Sequence, residues 1–236
     1  MTKFGRSRVM IESVSPTVDA GLYPAKRSIG ESVKVGAHIF GDGHDYIRAF
    51  VKYKAPGKRR WEEKELVKIG NDEWEAEFVT DQKGLYEFRV DAWIDHLLNW
   101  YEGFKKKTAA GIRVNVELIE GADLLVKVQK NLGKKADARL KEYEGLFRSE
   151  GDYDIAVNRA LSLDFADLVK QCPLPAFESS SEAYLINCEH AKANFSTWYE
   201  FFPRSVSPEI GKHGTFKDCL RLLPKIADMG FDVLYF

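Results

Sequence analysis

The chain has 236 residues, 44% hydrophobic and 30% charged, which is enough apolar material for one large or two smaller cores. Its formal net charge of -1 supplies no electrostatic drive toward nucleic acid or an anionic membrane. No stretch approaches the roughly 20 apolar residues needed to cross a bilayer, and no apolar segment follows the basic first residues, so the expectation is a cytoplasmic chain with no membrane partner.

Residues 8 to about 116 read as strands. Val33, Val35, Ala37 and Ile39 alternate with Lys34, Gly36 and His38, and Ile47, Ala49, Val51 and Tyr53 alternate with Arg48, Phe50 and Lys52. That period of two marks half-buried antiparallel strands. Trp74, Ala76 and Phe78 against Glu73, Glu75 and Glu77 is the cleanest case, and Gly70-Asn71-Asp72 just before it has the residues a hairpin turn needs. Tyr86, Phe88, Val90, Ala92 and Ile94 continue the pattern on one long strand. Strands at this spacing without helical periodicity between them predict an immunoglobulin-like β-sandwich over residues 1–116.

From about Glu117 the period changes to that of amphipathic helices. Three stripes follow: Leu124, Leu125, Val128 and Leu132; Leu140, Tyr143, Leu146 and Phe147; Val157, Leu161, Phe165 and Leu168. They are broken near Asn131 and Gly133 and again at Gly151-Asp152, which predicts a small antiparallel helical bundle over 117–175. Cys172-Pro173-Leu174-Pro175 ends the last helix, because proline lacks the donor and disfavours helix at its predecessor. Ala183 to Cys188 reads as another strand, within a 176–196 segment of return strand and linker.

The last 40 residues or so, from 197 to 236, read as strand, turn, helix, strand. Trp198 to Phe202 is aromatic enough for a strand buried on both faces, and Thr215 is placed to cap a helix carrying Phe216, Leu220, Leu223, Ile226 and Ala227. Pro224 is positioned to kink that helix and Gly230 to end it. Phe231 to Phe236 is the short apolar run of a parallel strand covered by helices.

The motifs Trp198-Tyr199-Glu200-Phe201-Phe202-Pro203-Arg204-Ser205, Gly214-Thr215-Phe216-Lys217-Asp218 and Gly230-Phe231-Asp232-Val233-Leu234-Tyr235 resemble the opening of the catalytic barrel in the α-amylase clan, glycoside hydrolase family 13. Arg8-Val9-Met10-Ile11-Glu12, Asp42-Gly43-His44-Asp45, Gly70-Asn71-Asp72-Glu73-Trp74 and Ala92-Trp93-Ile94-Asp95-His96 narrow the likeness. Together with Trp198 to Ser205 they resemble the bacterial maltosyltransferase family that extends α-1,4-glucans from maltose 1-phosphate in glycogen biosynthesis. The resemblance runs from Arg8 to Phe236. It implies a multi-domain α+β chain: a sandwich, a helical bundle inserted into it by the return strand, and the truncated start of a (β/α)8 barrel. It also implies maltose 1-phosphate and α-1,4-glucan as partners of the full-length parent, and a homodimer formed through the β-rich region.

Candidate sites divide into a few clusters, each with a plain structural explanation. Asp42, His44, Asp45, Asp95 and His96 include metal-ligand residue types, yet they fall where a turn and a strand end are expected. Glu73, Glu75 and Glu77 lie on one solvated strand face about 7 Å apart. Lys58-Arg59-Arg60 and Lys105-Lys106-Lys107 are short basic clusters of the solvated kind, while His213 and Asp218 flank the start of the last helix. Trp61, Trp93, Trp100 and Tyr101, in or beside the β-rich region, are the residues suited to stacking on sugar rings, although large aromatics more often fill cores. Trp93 shares a face with Glu87, Arg89 and Asp91 and is expected to point away from the core, toward a partner. Cys172, Cys188 and Cys219 show no C-x-x-C spacing, so buried thiols are expected rather than disulfides or a zinc site.

A retaining transglycosidase needs a nucleophilic carboxylate and an acid about 5 Å apart, at the C-terminal ends of barrel strands. In the clan those residues, and the sugar-phosphate ligands, follow the second strand. No catalytic, substrate-binding, cofactor or metal residue is therefore assigned within 1–236, no cofactor is expected, and the fragment alone is expected to be inactive. Two alternatives stand beside this reading: the N-terminal part of another glucan hydrolase or branching enzyme of the clan, and a stand-alone glucan-binding or dimerisation module.

Overall fold

The structure is a computed structural model that describes residues 7–149, 151 and 153–236. It is a mixed α/β molecule with three sheets and two helical regions.

The strands, in chain order, are β1 (Val9–Ser15), β2 (Ala25–Ser28), β3 (Ser32–Gly41), β4 (Ile47–Lys54), β5 (Glu62–Glu65), β6 (Val67–Lys68), β7 (Glu73–Val79) and β8 (Gly84–Asp95). One sheet has the order β1-β3-β7-β6 and is antiparallel throughout. The other centres on β8, which pairs with β4 along its length. Two later strands, β9 (Pro175–Ser180) and β10 (Tyr184–Glu189), also pair with β8, and β10 runs parallel to β2. The alternating residues named above, Val33, Val35, Ile39, Ala49, Val51, Phe78, Phe88, Val90 and Ile94, all enter one core shared by both sheets. Tyr53 of β4 stacks on Phe78 of β7 across that core, with ring centroids 4.1 Å apart. The Gly70-Asn71-Asp72 turn joins β6 to β7, Ile69 N–H donating to Glu73 C=O at 2.9 Å.

Strand structure stops at Asp95 rather than near residue 116. Residues 96–109 form helix α1 (His96–Ala109), and the sequence carries the reason: Asp95 is a strong N-cap, and Leu97, Tyr101 and Phe104 recur at helical spacing. The bundle continues as α2 (Asn115–Leu132), α3 (Arg139–Phe147), α4 (Tyr153–Ala160) and α5 (Leu163–Gln171). The third stripe is thus two helices, because Ser162 accepts a hydrogen bond from Phe165 N–H at 3.2 Å and starts a new one. Of the break at Gly151-Asp152, Gly151 is a bend and Asp152 lies outside the described residues. Leu97, Phe104, Leu125, Leu140, Tyr143, Phe165 and Leu168 form a second core, separate from that of the sheets.

The last unit is β11 (Trp198–Glu200), α6 (Phe216–Cys219), α7 (Leu223–Asp228) and β12 (Val233–Tyr235), with β11 and β12 parallel. Thr215 and Asp218 form a reciprocal capping box at α6. A 3-10 turn over Leu220–Leu222 separates the two helices just before Pro224, and Gly230, at φ +86°, ends α7. Trp198 is not buried as expected of a strand covered on both faces; it is 59% exposed.

Candidate functional site

A buried polar node lies where α1 leaves β8 and β9 returns to it. The Asp95 carboxylate is fully buried. Its Oδ1 accepts from the N–H groups of Leu97, Leu98 and Leu174, at 3.1, 3.2 and 3.1 Å. Its Oδ2 faces Arg48 Nη1 at 3.7 Å. Arg48 in turn bonds Glu65 at 2.8 Å through Nε and the Lys170 carbonyl at 2.9 Å through Nη1. A single carboxylate therefore ties a strand, a helix start and the end of the bundle together. Sequence reasoning passed over Arg48, which reads as an ordinary outward residue of an alternating strand.

Beside this node α1 and α2 line a groove of about 460 Å³. From α1 it receives His96 and Trp100; from α2 it receives Glu120, Asp123, Leu124 and Lys127, which share one helical face; Leu174 closes it. Trp100 is wedged over Gly121, its indole Nε1 donating to the Glu117 carbonyl at 2.7 Å. Phe177 lies next to this groove, edge-on to His96 with ring centroids 6.2 Å apart. Nothing in the sequence marks Phe177, since its prominence comes from a bulge in the β8–β9 pairing.

The other sequence candidates mostly contact neighbouring side chains or lie exposed. Asp42 and Asp45 each bond Arg8 at 2.9 Å, and Asp45 also accepts from Asn99 at 2.8 Å. The Arg8 guanidinium is raised above its ordinary pKa, chiefly by the hydrogen bond to Asp42. Among the described residues no group of three or more His, Cys, Asp or Glu side chains is placed to hold a metal ion. Glu75 pairs with Lys34 and Glu77 with Ser32 across the strand, as a solvated face would. Lys105 and Lys107 are taken up by Glu102 and Glu117, and Lys106 lies over Tyr46. Asp218 serves the capping box, its pKa lowered first by the Thr215 N–H, and His213 is exposed.

The aromatic candidates separate. Tyr101 is buried in the helical core, and both it and Trp100 belong to α1 rather than to the strands. Trp61 is held between Lys54 and Arg89, at 4.6 and 5.0 Å from its ring centre. Trp93 turns from the core as expected but is half-buried, stacked on Phe50 at 5.1 Å, so an intramolecular neighbour takes one of its faces. Cys172, Cys188 and Cys219 are free and buried.

Residues 7–190, which contain both large sheets and the bundle, match the sequence profile described as alpha-1,4-glucan:maltose-1-phosphate maltosyltransferase, domain N/S. The chain belongs to this family. Among similar proteins bearing the maltosyltransferase name, that of Chlorobaculum tepidum is 43% identical over 233 residues, covering 98% of this chain and 34% of that protein. The maltosyltransferase of Methylacidiphilum infernorum is 41% identical with the same coverage of both. That of Pseudomonas aeruginosa is 35% identical over 97% of this chain and 34% of its own length. The chain thus spans about a third of the length of the curated relatives it matches. No described helix is long and apolar enough to cross a membrane.

Proposed function

We propose that this chain is the N-terminal region of a cytoplasmic enzyme of the α-amylase clan that transfers maltosyl units from maltose 1-phosphate to the non-reducing ends of α-1,4-glucans, with retention, in glycogen biosynthesis. The observation that carries the reading is the 43% identity, over nearly the whole chain, to a protein named for that reaction. On this reading the two sheets are an immunoglobulin-like sandwich, its first boundary moved from 116 to Asp95, where the strands end. The bundle up to residue 175 is an insertion, 176–196 restores the sandwich, and 197–236 opens a (β/α)8 barrel.

Retention requires two displacements at the anomeric carbon. A carboxylate first expels phosphate, which needs little protonation as it leaves. A second carboxylate then takes the proton from a glucan hydroxyl that attacks the glycosyl-enzyme. Both carboxylates belong to later barrel strands, so residues 1–236 serve as scaffold and contribute none of the reacting groups. A homodimer through the β-rich region completes the proposal.

The test compares the 236-residue chain with a protein of the relatives' full length. The longer protein releases phosphate from maltose 1-phosphate in the presence of α-1,4-glucan and lengthens the glucan by two sugars; the chain alone does neither. Turnover by the chain alone, or phosphate-independent hydrolysis by the longer protein, defeats the reading. Sedimentation of the longer protein as a monomer at micromolar concentration defeats its dimer clause.

A further inference from the structure

The loop that joins β1 to β2 holds a conformation that L-residues avoid. Asp19, Ala20 and Gly21 stand in succession at φ +48°, +53° and +92°, one turn wound in the left-handed sense. Aspartate tolerates that region and glycine occupies it freely, but the Cβ of Ala20 is crowded there with no side-chain hydrogen bond to offset it. Backbone bonds close the turn: Gly21 N–H donates to the Val18 carbonyl at 3.0 Å and Leu22 N–H to that of Asp19 at 3.1 Å. The core holds it in place. Gly21 is pressed on Tyr184, where a Cβ would lie 2.6 Å from Cδ1, and Tyr184 packs in turn on Phe88 with ring centroids 5.6 Å apart.

The turn displays side chains rather than burying them. Leu22 is 73% exposed, Tyr23 56% and Val18 42%, and Leu185, next to Tyr184 on the outward face of β10, is 41% exposed. Backbone strain that persists at a surface, with apolar groups held out into water, marks a contact made with something else. A second copy on this edge is disfavoured by charge: β2 is the edge strand of its sheet and carries Lys26 and Arg27, which a twofold contact would set against the same pair. The remainder of a longer chain is better placed, since this chain spans about a third of its relatives' length. The segment that leaves β10 is tied on both sides, Asn194 bonding Glu31 between β2 and β3, and Lys192 pairing with Asp232 of the last unit at 3.0 Å. From Tyr184 beside the turn to that exit, β10 spans 6 residues, or about 20 Å. A (β/α)8 barrel of about 250 residues has a radius of gyration of ~18 Å, so a body that starts at the exit reaches the turn.

We propose that the Asp19–Gly21 turn is a preformed knob that presents Leu22 and Tyr23 to the catalytic barrel of the longer protein and sets the sandwich against it. It rests on the reading that residues 197–236 open such a barrel. Val18 and Leu185 flank the knob, so the barrel surface that receives it is apolar, with an acidic side chain at its rim to meet Lys26. The fixed turn lowers the ordering cost of the contact, because Leu22 and Tyr23 are already held in place.

The test compares the 236-residue chain with a protein of the relatives' full length by hydroxyl-radical footprinting, both at micromolar concentration. Leu22 and Tyr23 are expected to be labelled several-fold less in the longer protein, while Val67, 66% exposed on the edge of the other sheet, is labelled alike in both. Leu22→Ser is expected to leave the melting temperature of the chain unchanged, because the side chain is already in water, and to lower that of the longer protein by several degrees. Val67→Ser gives the same shift in both. Equal labelling of Leu22 in the two proteins, or equal effects of Leu22→Ser on both, overturns the proposal, and so does shielding that fades on dilution, the sign of a second copy. Shielding that survives dilution in a protein without maltosyl transfer supports the contact and refutes only the activity. Maltosyl transfer with Leu22 fully labelled refutes the contact and leaves the activity standing.

Discussion

Replacing Asp95 by alanine should be among the most damaging single changes in the chain. The carboxylate is fully buried, and among the described residues its Oδ1 is the only acceptor for the N–H groups of Leu97, Leu98 and Leu174. Loss of an N-cap costs about 0.5–2 kcal/mol, and each buried donor left without a partner costs roughly 1–3 kcal/mol. These overlap, because a water entering the gap re-satisfies part of the set. Arg48 moderates the electrostatic part, since it keeps Glu65 at 2.8 Å and the Lys170 carbonyl at 2.9 Å after Asp95 is gone. The net expectation is about 3–5 kcal/mol, against a total stability of roughly 5–15 kcal/mol. At about 2–4 °C per kcal/mol for a chain of this size, the melting temperature should drop by roughly 6–20 °C. Asp95→Asn retains the Oδ1 acceptor for the three N–H groups but turns an amide toward Arg48, so it should lose less than half as much. Urea titrations followed by tryptophan fluorescence, with hydrogen exchange at Leu97, Leu98 and Leu174, measure both variants. A loss under about 1 kcal/mol for alanine, or equal losses for alanine and asparagine, would refute the capping argument.

Gly121→Ala drives a methyl to 2.2 Å from the Trp100 ring and should cost about 1–3 kcal/mol by overpacking, visible in the same titration and absent for Gly103→Ala, which meets open space. The Tyr143 hydroxyl and Arg139 lower the pKa of Asp164, so its contribution to stability is complete above the unfolded carboxylate value near pH 4 and is lost as pH falls through the lower folded value. Acid titration of Asp164→Asn should therefore show a shallower stability loss below about pH 4; an unchanged slope counts against the assignment. Burial and the Asp81 hydrogen bond push the Tyr86 phenol up to about 12, so stability should be lost as pH rises from about 10 through that value, and Tyr86→Phe should flatten this alkaline loss. In the 236-residue chain, amides of 198–236 should exchange before those of β3, β7 and β8, since Trp198, Phe216 and Phe236 are more than half exposed and each forgoes part of the roughly 1.5–3 kcal/mol that burial supplies. Equal protection in both regions would show that the terminal unit has an adequate core of its own.

The sequence alone determined the pieces that depend on short-range pattern. Alternation placed Val33 to Ile39 and Tyr86 to Ile94 on buried strand faces because a strand has only two faces, and a run of nine residues samples each several times. The capping box at Thr215, the helix stop at Cys172-Pro173 and the turn at Gly70-Asn71-Asp72 were legible because each is set by chemistry within four residues. Helix α1 was legible in principle, from Asp95 and the Leu97, Tyr101, Phe104 spacing, but the long alternating run before it masks the change of period. Tertiary structure decided the rest. Arg48 and Asp95 are 47 positions apart, Asp95 and Leu174 are 79 apart, and nothing local to any of them announces the meeting. Phe177 became an exposed ring beside His96 only because β9 returns to β8 with one residue too many opposite Trp93. Pattern records which face of its own element a residue occupies; which other element arrives at that face depends on chain return over distances that local periodicity does not encode.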